Sequence, residues 1–458
     1  MLSTKNFVLL FISFLLLGCS NIRTRDAYKE SLLTNVENRN FAGAIKLIED
    51  TKEKSFAEKD RVLYHLFKGV LLHYNQEYRE SNLHLTQAED AIDELYTKSI
   101  SRAASSMLLN DNTFAYAGED YEDIYINIFK ALNYINMNQE ESAFVEIRKV
   151  NIKLNLLEDK YKEYAEELNN SEDSKIKVNV KSIQFNNSAL ARYLSMLLYR
   201  AENQMDDVRI DKRYLEEAFT LQAHIYNFAK PDLSGFTEVK ANTNKLNFVS
   251  FTGLAPQKHP ITYRVATLDD MVTVFVDDGN DAKGEQFFFP GVSAGHYFKF
   301  SIPQMQEKKS SITKITVEAN GRTLGELDKI EDVNRIAKET FTIKANMAYV
   351  RAITRTVLKG VASILAQQKI EEKTGEFGGL LAKLGTAALT EATEAADLRS
   401  CIVFPGYVYV GDFDIAPGVY DLKINYYNRR GMIEYTEQID QYQIKQNQIN
   451  LIESYYLK

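Results

Sequence analysis

The first proline of this 458-residue chain is Pro231, and the other six all follow it. Proline removes a backbone N–H and clashes with the preceding helical turn, so a stretch this long without one reads as uninterrupted helices. Downstream, short aromatic or β-branched runs separated by turn residues read as strands. Pro231, Ser234 and Gly235 mark the boundary. The expected fold class is α+β: an all-α, tetratricopeptide-like solenoid over residues 20–230, then a β-rich sandwich or meander over 231–458. Charge divides along the same line. Residues 20–230 carry 28 basic and 35 acidic side chains, and 231–458 carry 26 and 28. With no basic block and a net charge of −8, nucleic acid is not an expected partner.

The helical half repeats. Gly69, Leu72, Gln76, Tyr78, Ser81, Leu85 and Ala88 match in spacing Ala131, Tyr134, Asn138, Glu140, Ala143, Ile147 and Val150. Small residues stand where two helices cross and large ones where hairpins meet, the tetratricopeptide pattern of paired helices in about 34 residues. Residues 38–45 fit part of an earlier, poorer copy, and 191–219 fit a later one with a stretched charged turn. Arrays of this kind expose a concave surface. Tyr64, Tyr74, Tyr78, Tyr125 and Tyr134 are the candidate anchors for a protein partner there, tyrosine being enriched at interface hot spots. The competing reading places them in the core between repeats.

Residues 1–19 read as a targeting segment. Lys5 precedes an apolar run over residues 7–18 (FVLLFISFLLLG) that is too short to span a bilayer comfortably. Its end, Leu16-Leu17-Gly18-Cys19, resembles the lipobox of bacterial lipoproteins. That resemblance implies a diacylglyceryl thioether on Cys19, cleavage before it, and acylation of the new amino terminus. Several acyl chains suffice to anchor a protein, at about 0.8 kcal/mol per buried CH₂. Ser20, where Asp would signal retention, implies the outer membrane, facing the periplasm. With Cys19 acylated, only Cys401 remains, so no internal disulfide is expected. Cys401 lies in the apolar run SCIVF and reads as a buried thiol, not a nucleophile.

In the second half, strands are expected over 246–251, 261–265, 272–276, 286–289, 296–302 and 312–318, with Asn320-Gly321 as a hairpin turn. A helical insertion is expected over about 328–396, as one helix to residue 373 and a second over 380–396. Strands resume over 400–410, 418–425, 431–436 and 441–454, which favours one discontinuous β-rich unit.

Catalytic patterns fail on context. Gly291-Val292-Ser293-Ala294-Gly295 spells a nucleophile elbow, but a strand-like run follows it and no histidine lies beyond His296, so no triad closes in that order. The six histidines, among them His65, His73 and His84, show no metal-ligand spacing. The acidic 277–285 loop lacks the twelve-residue calcium frame. No cofactor or metal is expected, and a hydrolase is the remote reading.

Several stretches together resemble a family of bacterial lipoproteins with tetratricopeptide-like N-terminal halves and no established activity. The matching pieces are the lipobox, residues 125–134 (YINIFKALNY), residues 253–258 (GLAPQK), and Ala396-Asp397-Leu398-Arg399-Ser400 followed by Pro405. Where the family carries a large aromatic after the Asp-x-Arg-Ser element, Cys401 stands here. The resemblance implies an envelope protein, with a pointer to peptidoglycan assembly. Asp397 and Arg399, two apart at a helix-to-strand junction, read as a structural clamp, with a binding role for Arg399 as the alternative. The function expected is a lipid-anchored, non-enzymatic adaptor that binds another envelope protein through its helical repeats. The alternative is a glycan- or peptidoglycan-binding lipoprotein that uses its aromatic-rich β half.

Overall fold

A computed structural model of the chain describes residues 28–100, 111–170, 185–237, 243–277, 284–342, 344–361, 395–446 and 448–458. Cys19 and the targeting segment, most of the 277–285 loop, the 171–177 part of the polar loop after the long repeat helix, and the second helix of the insertion as far as residue 394 lie outside these residues.

The helical half consists of α1 (28–37), α2 (Phe41–Asp50), the short α3 (Lys52–Ser55), α4 (Arg61–Tyr74), α5 (Tyr78–Ile100), α6 (Asp120–Asn136), α7 (Glu140–Asn170), α8 (Ala189–Ala201) and α9 (Met205–Leu221). Four of the connections are the same turn. Arg39, Gln76, Asn138 and Asn203 each adopt a left-handed conformation, with φ of 59°, 63°, 54° and 58°. At each, the next N–H bonds the carbonyl five residues back, on Asn35, Leu72, Tyr134 and Tyr199, at 2.8–2.9 Å. This satisfies the last helical carbonyls and reverses the chain in three residues. Helices α4 and α5, α6 and α7, and α8 and α9 pack as successive pairs. The small residues of the repeat pattern stand at the crossings: Ser81 Oγ donates to the Gly69 carbonyl at 2.7 Å, and a Cβ on Gly69 would lie 2.6 Å from Leu85 Cδ2. The turns fall at 39, 76, 138 and 203, so the interval varies, and a tetratricopeptide solenoid is not shown.

Among the described residues, the β-rich half forms three four-stranded sheets. Its strands are β1 (Asn244–Leu254), β2 (Gln257–Leu268), β3 (Met271–Val276), β4 (Glu285–Phe288), β5 (Tyr297–Gln306), β6 (Ile312–Ala319), β7 (Arg322–Glu326), β8 (Asp328–Asp332), β9 (Pro405–Ile415), β10 (Val419–Asn428), β11 (Ile433–Gln443) and β12 (Asn450–Tyr456). The first sheet has the order β12-β1-β9-β8, with β12 parallel to β1; the second is β11-β10-β6-β7 and the third β4-β3-β2-β5. Asn320 and Gly321 make the β6–β7 hairpin with φ of 49° and 75°, as a two-residue turn requires.

Layering follows from the two-residue period of strands. From the first sheet, Leu246, Phe248, Tyr407, Tyr409 and Ile452 join Ile315, Val317, Leu422, Ile424 and Tyr426 of the second in one core. Their neighbours Val249, Phe251, Val408, Val410 and Tyr455 face the other way and share a core with the helices, a cluster that runs from Tyr28 to Leu457. The first sheet is thus the middle layer of three, which is why β1 is buried without a break from Leu246 to Leu254 rather than on alternate residues.

Three expectations need correction. Residues 328–332 are strand β8, paired with β9, and the helix α10 occupies 333–342 and 344–361; pairing to a buried strand overrides a short segment that is compatible with either state. Residues 400–404 form an irregular buried stretch, and β9 begins at Pro405. The expected last strand is divided, because β11 runs to Gln443 and β12 begins at Asn450.

Candidate binding site

The first helix of each hairpin lies against the first sheet, and polar side chains tie the layers together at intervals. Arg39, in the first turn, forks onto the Glu437 carboxylate at 2.7 and 2.9 Å. His73 of α4 is fully buried; its Nδ1 lies 2.6 Å from Asn133 Oδ1, and its Nε2 lies 3.0 Å from Glu453 and from the Tyr455 hydroxyl. On α8, Tyr193 donates to the Gly411 carbonyl at 3.0 Å and Arg200 to Asp412 at 2.9 Å. Aromatic rings fill the space between: Tyr74 meets Tyr455 at 4.9 Å, Tyr455 stacks on Phe251 at 5.7 Å, and Phe251 stacks on Phe129 at 5.7 Å.

This arrangement relocates the tyrosines expected to line an open groove. Tyr74 is buried and donates to the Val403 carbonyl at 3.0 Å; Tyr125 is buried and donates to Glu331 at 2.5 Å. Tyr64 is buried against Phe56, while Tyr78 and Tyr134 are half-buried. None of the five is an exposed anchor: the chain's own β half covers Tyr74 and Tyr125, and Phe56 packs on Tyr64.

Glu331 of β8 is a site residue that sequence reading missed. Its partners among the described residues are uncharged: the Ser188 and Tyr226 hydroxyls and the Leu190 N–H converge on one oxygen at 2.6, 3.1 and 3.2 Å, and Tyr125 takes the other. Burial raises its pKa against the pull of these donors. A lone Glu in the run Ile330-Glu331-Asp332 carries no sequence signal of such a shell.

Asp397 and Arg399 are brought together, at a junction of four segments. The Arg399 guanidinium donates twice to Asp397, at 2.7 and 2.9 Å, and once to Asp60 at 3.0 Å. Its remaining N–H groups reach the carbonyls of Phe114 and Asp111 at 3.1 and 3.2 Å, and the Tyr116 ring lies 5.4 Å below it. Burial opposes the charge on Asp397, but the Arg399 hydrogen bonds and the charges of Lys258 and Arg399 hold its pKa down at about 2. Beside this fork, Lys258 and Lys344 both bond the buried Glu119, and Lys258 also donates to the Arg399 carbonyl at 2.8 Å. Lys160 pairs with Asp120 at 2.7 Å, and Arg351 with Asp111. Behind them, Glu122 accepts from the Tyr116 hydroxyl at 2.6 Å and from the Cys401 N–H at 2.5 Å. Cys401 itself is fully buried, and burial, followed by the Glu122 charge, pushes its thiol pKa up, the state of an inert core thiol.

The Asp397–Arg399 fork, the two lysines on Glu119, and the Lys160–Asp120 and Arg351–Asp111 pairs line a cavity of about 250 Å³ whose other walls include Leu95, Phe114, Phe341 and Met347. Its lining carries five cations against four anions, and Asp60 behind Arg399 supplies a fifth anion, so the polar network is internally compensated and holds distant segments in one register. Ser293 is exposed in the turn between β4 and β5, and a strand follows it instead of a helix. Among the described residues no cluster of three metal-ligating side chains occurs, and no helix is long and apolar enough to cross a membrane. Searches of family models, of curated proteins and of solved structures match nothing to this chain.

Proposed function

We propose that the protein is a lipid-anchored, non-enzymatic adaptor of the bacterial outer membrane, facing the periplasm, that holds another envelope protein against the outer side of a tetratricopeptide-like helical array. One observation carries the reading. The second helices leave large apolar side chains in solvent: Val145, Ile152 and Leu156 on α7 are 48, 55 and 56% exposed, and on α9 Leu221 is 75% exposed beside Ile210 and Tyr214. At about 100° per residue, each trio falls within about 40° of one helix face. An apolar stripe on a charged helix marks a place where another surface is buried. The helical half is net −7, which suits a partner with an apolar centre and a basic rim. The recurring three-residue turn and the small residues at the Gly69–Ser81 crossing support the tetratricopeptide-like reading, and the lipobox at Cys19 supports the anchor.

The test is capture of partners from membranes by the full-length, anchored chain and by Ile152→Glu/Leu156→Glu. Both positions are exposed, so the variant folds, and a specific co-purifying envelope protein is expected to be lost with it. An unchanged partner set would refute the outer-face adaptor. Cys19→Ala is expected to accumulate as unprocessed precursor; normal maturation would remove the anchor from the account.

A further inference from the structure

A second cavity adjoins the one at Arg399, with which it shares Pro303, Phe341 and Ala345, and lies between the inner face of the third sheet and α10, with a volume of about 690 Å³. That is within the range of small-molecule sites, roughly 300–1,000 Å³. Its aromatic wall is built by register. Tyr263 pairs with Phe300 across β2 and β5, and their rings stack at 5.3 Å and 12°. From α10, Tyr349 packs on Tyr263 at 5.1 Å, and its hydroxyl is held by Glu285 at 3.1 Å. Both Tyr263 and Tyr349 are half-buried, so part of each ring remains open to the cleft. The polar wall is of a different kind. Thr342 and Asn346 stand one helical turn apart on the face of α10 that carries Tyr349, and with Gln304 of β5 they are exposed and line the same space. Among the described lining side chains, Glu285 and Lys338 are the charged ones, one of each sign, and Lys338 is turned toward Glu307 at 3.5 Å.

We propose that this cleft binds an oligosaccharide bearing acetamido groups. The inference goes beyond the adaptor reading and stands or falls separately from it. A cleft with one cation offset by one anion does not select a phosphate or a nucleotide, and a cleft edged by amides and a carboxylate does not select a lipid tail. A sugar ring presents a C–H face to an aromatic ring and hydroxyl edges to amide and carboxylate groups, and this pairing of surfaces is what Tyr263 and Tyr349 offer beside Asn346, Gln304 and Glu285. Each side-chain amide supplies both a donor and an acceptor, which matches the donor and acceptor of an acetamido group.

The test uses the full-length chain in detergent, the tetramer of N-acetylglucosamine as soluble probe, and purified peptidoglycan sacculi as insoluble probe. Calorimetric titration is expected to show saturable binding of the tetramer, weakened roughly fivefold or more by Gln304→Ala/Asn346→Ala and by Tyr263→Ala. The amide variant alters exposed side chains and leaves the aromatic packing intact, so it separates loss of binding from loss of fold. Co-sedimentation of the wild-type chain with sacculi, lost in the same variants, assigns the cleft to a cell-wall strand; binding of the tetramer alone assigns it to a soluble saccharide. No saturable binding of the tetramer up to about 10 mM, or binding that the amide and Tyr263 variants leave unchanged, would overturn the proposal. Partner capture by α7 is expected to be the same in all of these variants, which keeps the two readings distinguishable.

Discussion

His65 and His84 face each other from α4 and α5 with their Nδ1 atoms 2.9 Å apart and their rings stacked at 5.2 Å. One ring must donate and the other accept, so a second proton breaks the bond and places two cations side by side. Burial first, then Lys52 and Lys68, lower the His65 pKa to about 4; burial, then Lys68 and His65, lower that of His84 to about 4. The unfolded chain therefore takes up protons first as the pH falls from about 6.5. The stabilisation is present above that pH and is lost as the pH falls through about 4. Both rings are only half-buried, so screening leaves an effect on the order of 1 kcal/mol. Denaturant unfolding at pH 7 and pH 5 is expected to show a smaller acid loss for His84→Gln, which keeps a hydrogen-bonding amide at that position, than for the wild type. Equal losses would show that the pair is not what titrates. Arg399 makes a larger claim. Replacing it by Ala leaves Asp60 and Asp397 buried without their shared cation, and breaking such a network costs about 3–5 kcal/mol; a loss under about 1 kcal/mol would show that the junction is solvated. Arg399 and Asp397 were legible as a clamp because they are two residues apart, whereas Asp60 was not, since nothing local links it to a residue 339 positions away.

The recurring helical turn sets the geometry of the array. Its left-handed residue is Arg, Gln, Asn and Asn in the four copies, and for a side chain other than Asn or Gly that conformation costs about 1 kcal/mol. Gln76→Gly is therefore expected to stabilise the chain by about 0.5–1 kcal/mol, read as a higher denaturation midpoint at unchanged slope. A lowered midpoint would mean that the Gln76 side chain contributes contacts of its own. Helix existence and turn positions were legible, because polar turn residues punctuate a regular apolar spacing. The strand–helix division near residue 330 was not: Ile330 and Val333 are both fully buried, and a five-residue segment with that pattern suits either state until β9 pairs with it. Strand order was equally hidden, since β12 adds to β1 in parallel across some two hundred residues of chain, a pairing that loop closure and packing decide and local propensity does not.

At the scale of the whole molecule, the composition gains a physical meaning. Aromatic residues are abundant, with 27 Tyr and 25 Phe, and Trp is absent. Much of that content fills the space between the helices and the first sheet, and the tyrosine hydroxyls there reach buried carbonyls and carboxylates. The tyrosine spacing was legible as important, but it pointed inward to the chain's own β half. Sequence periodicity shows that a face is apolar without showing what covers it. This face is closed from within by the first sheet, and the proposed adaptor role leaves partners to the outer helices. Site-specific photo-crosslinking in intact cells distinguishes the two faces, with a crosslinking side chain placed in turn at Tyr74, Ile152 and Leu156 of the full-length chain. The expected result is an intramolecular adduct between position 74 and the segment around Val403 and Tyr455, and adducts to a second protein from 152 and 156. Capture of a second protein at position 74, with none at 152 or 156, would contradict it.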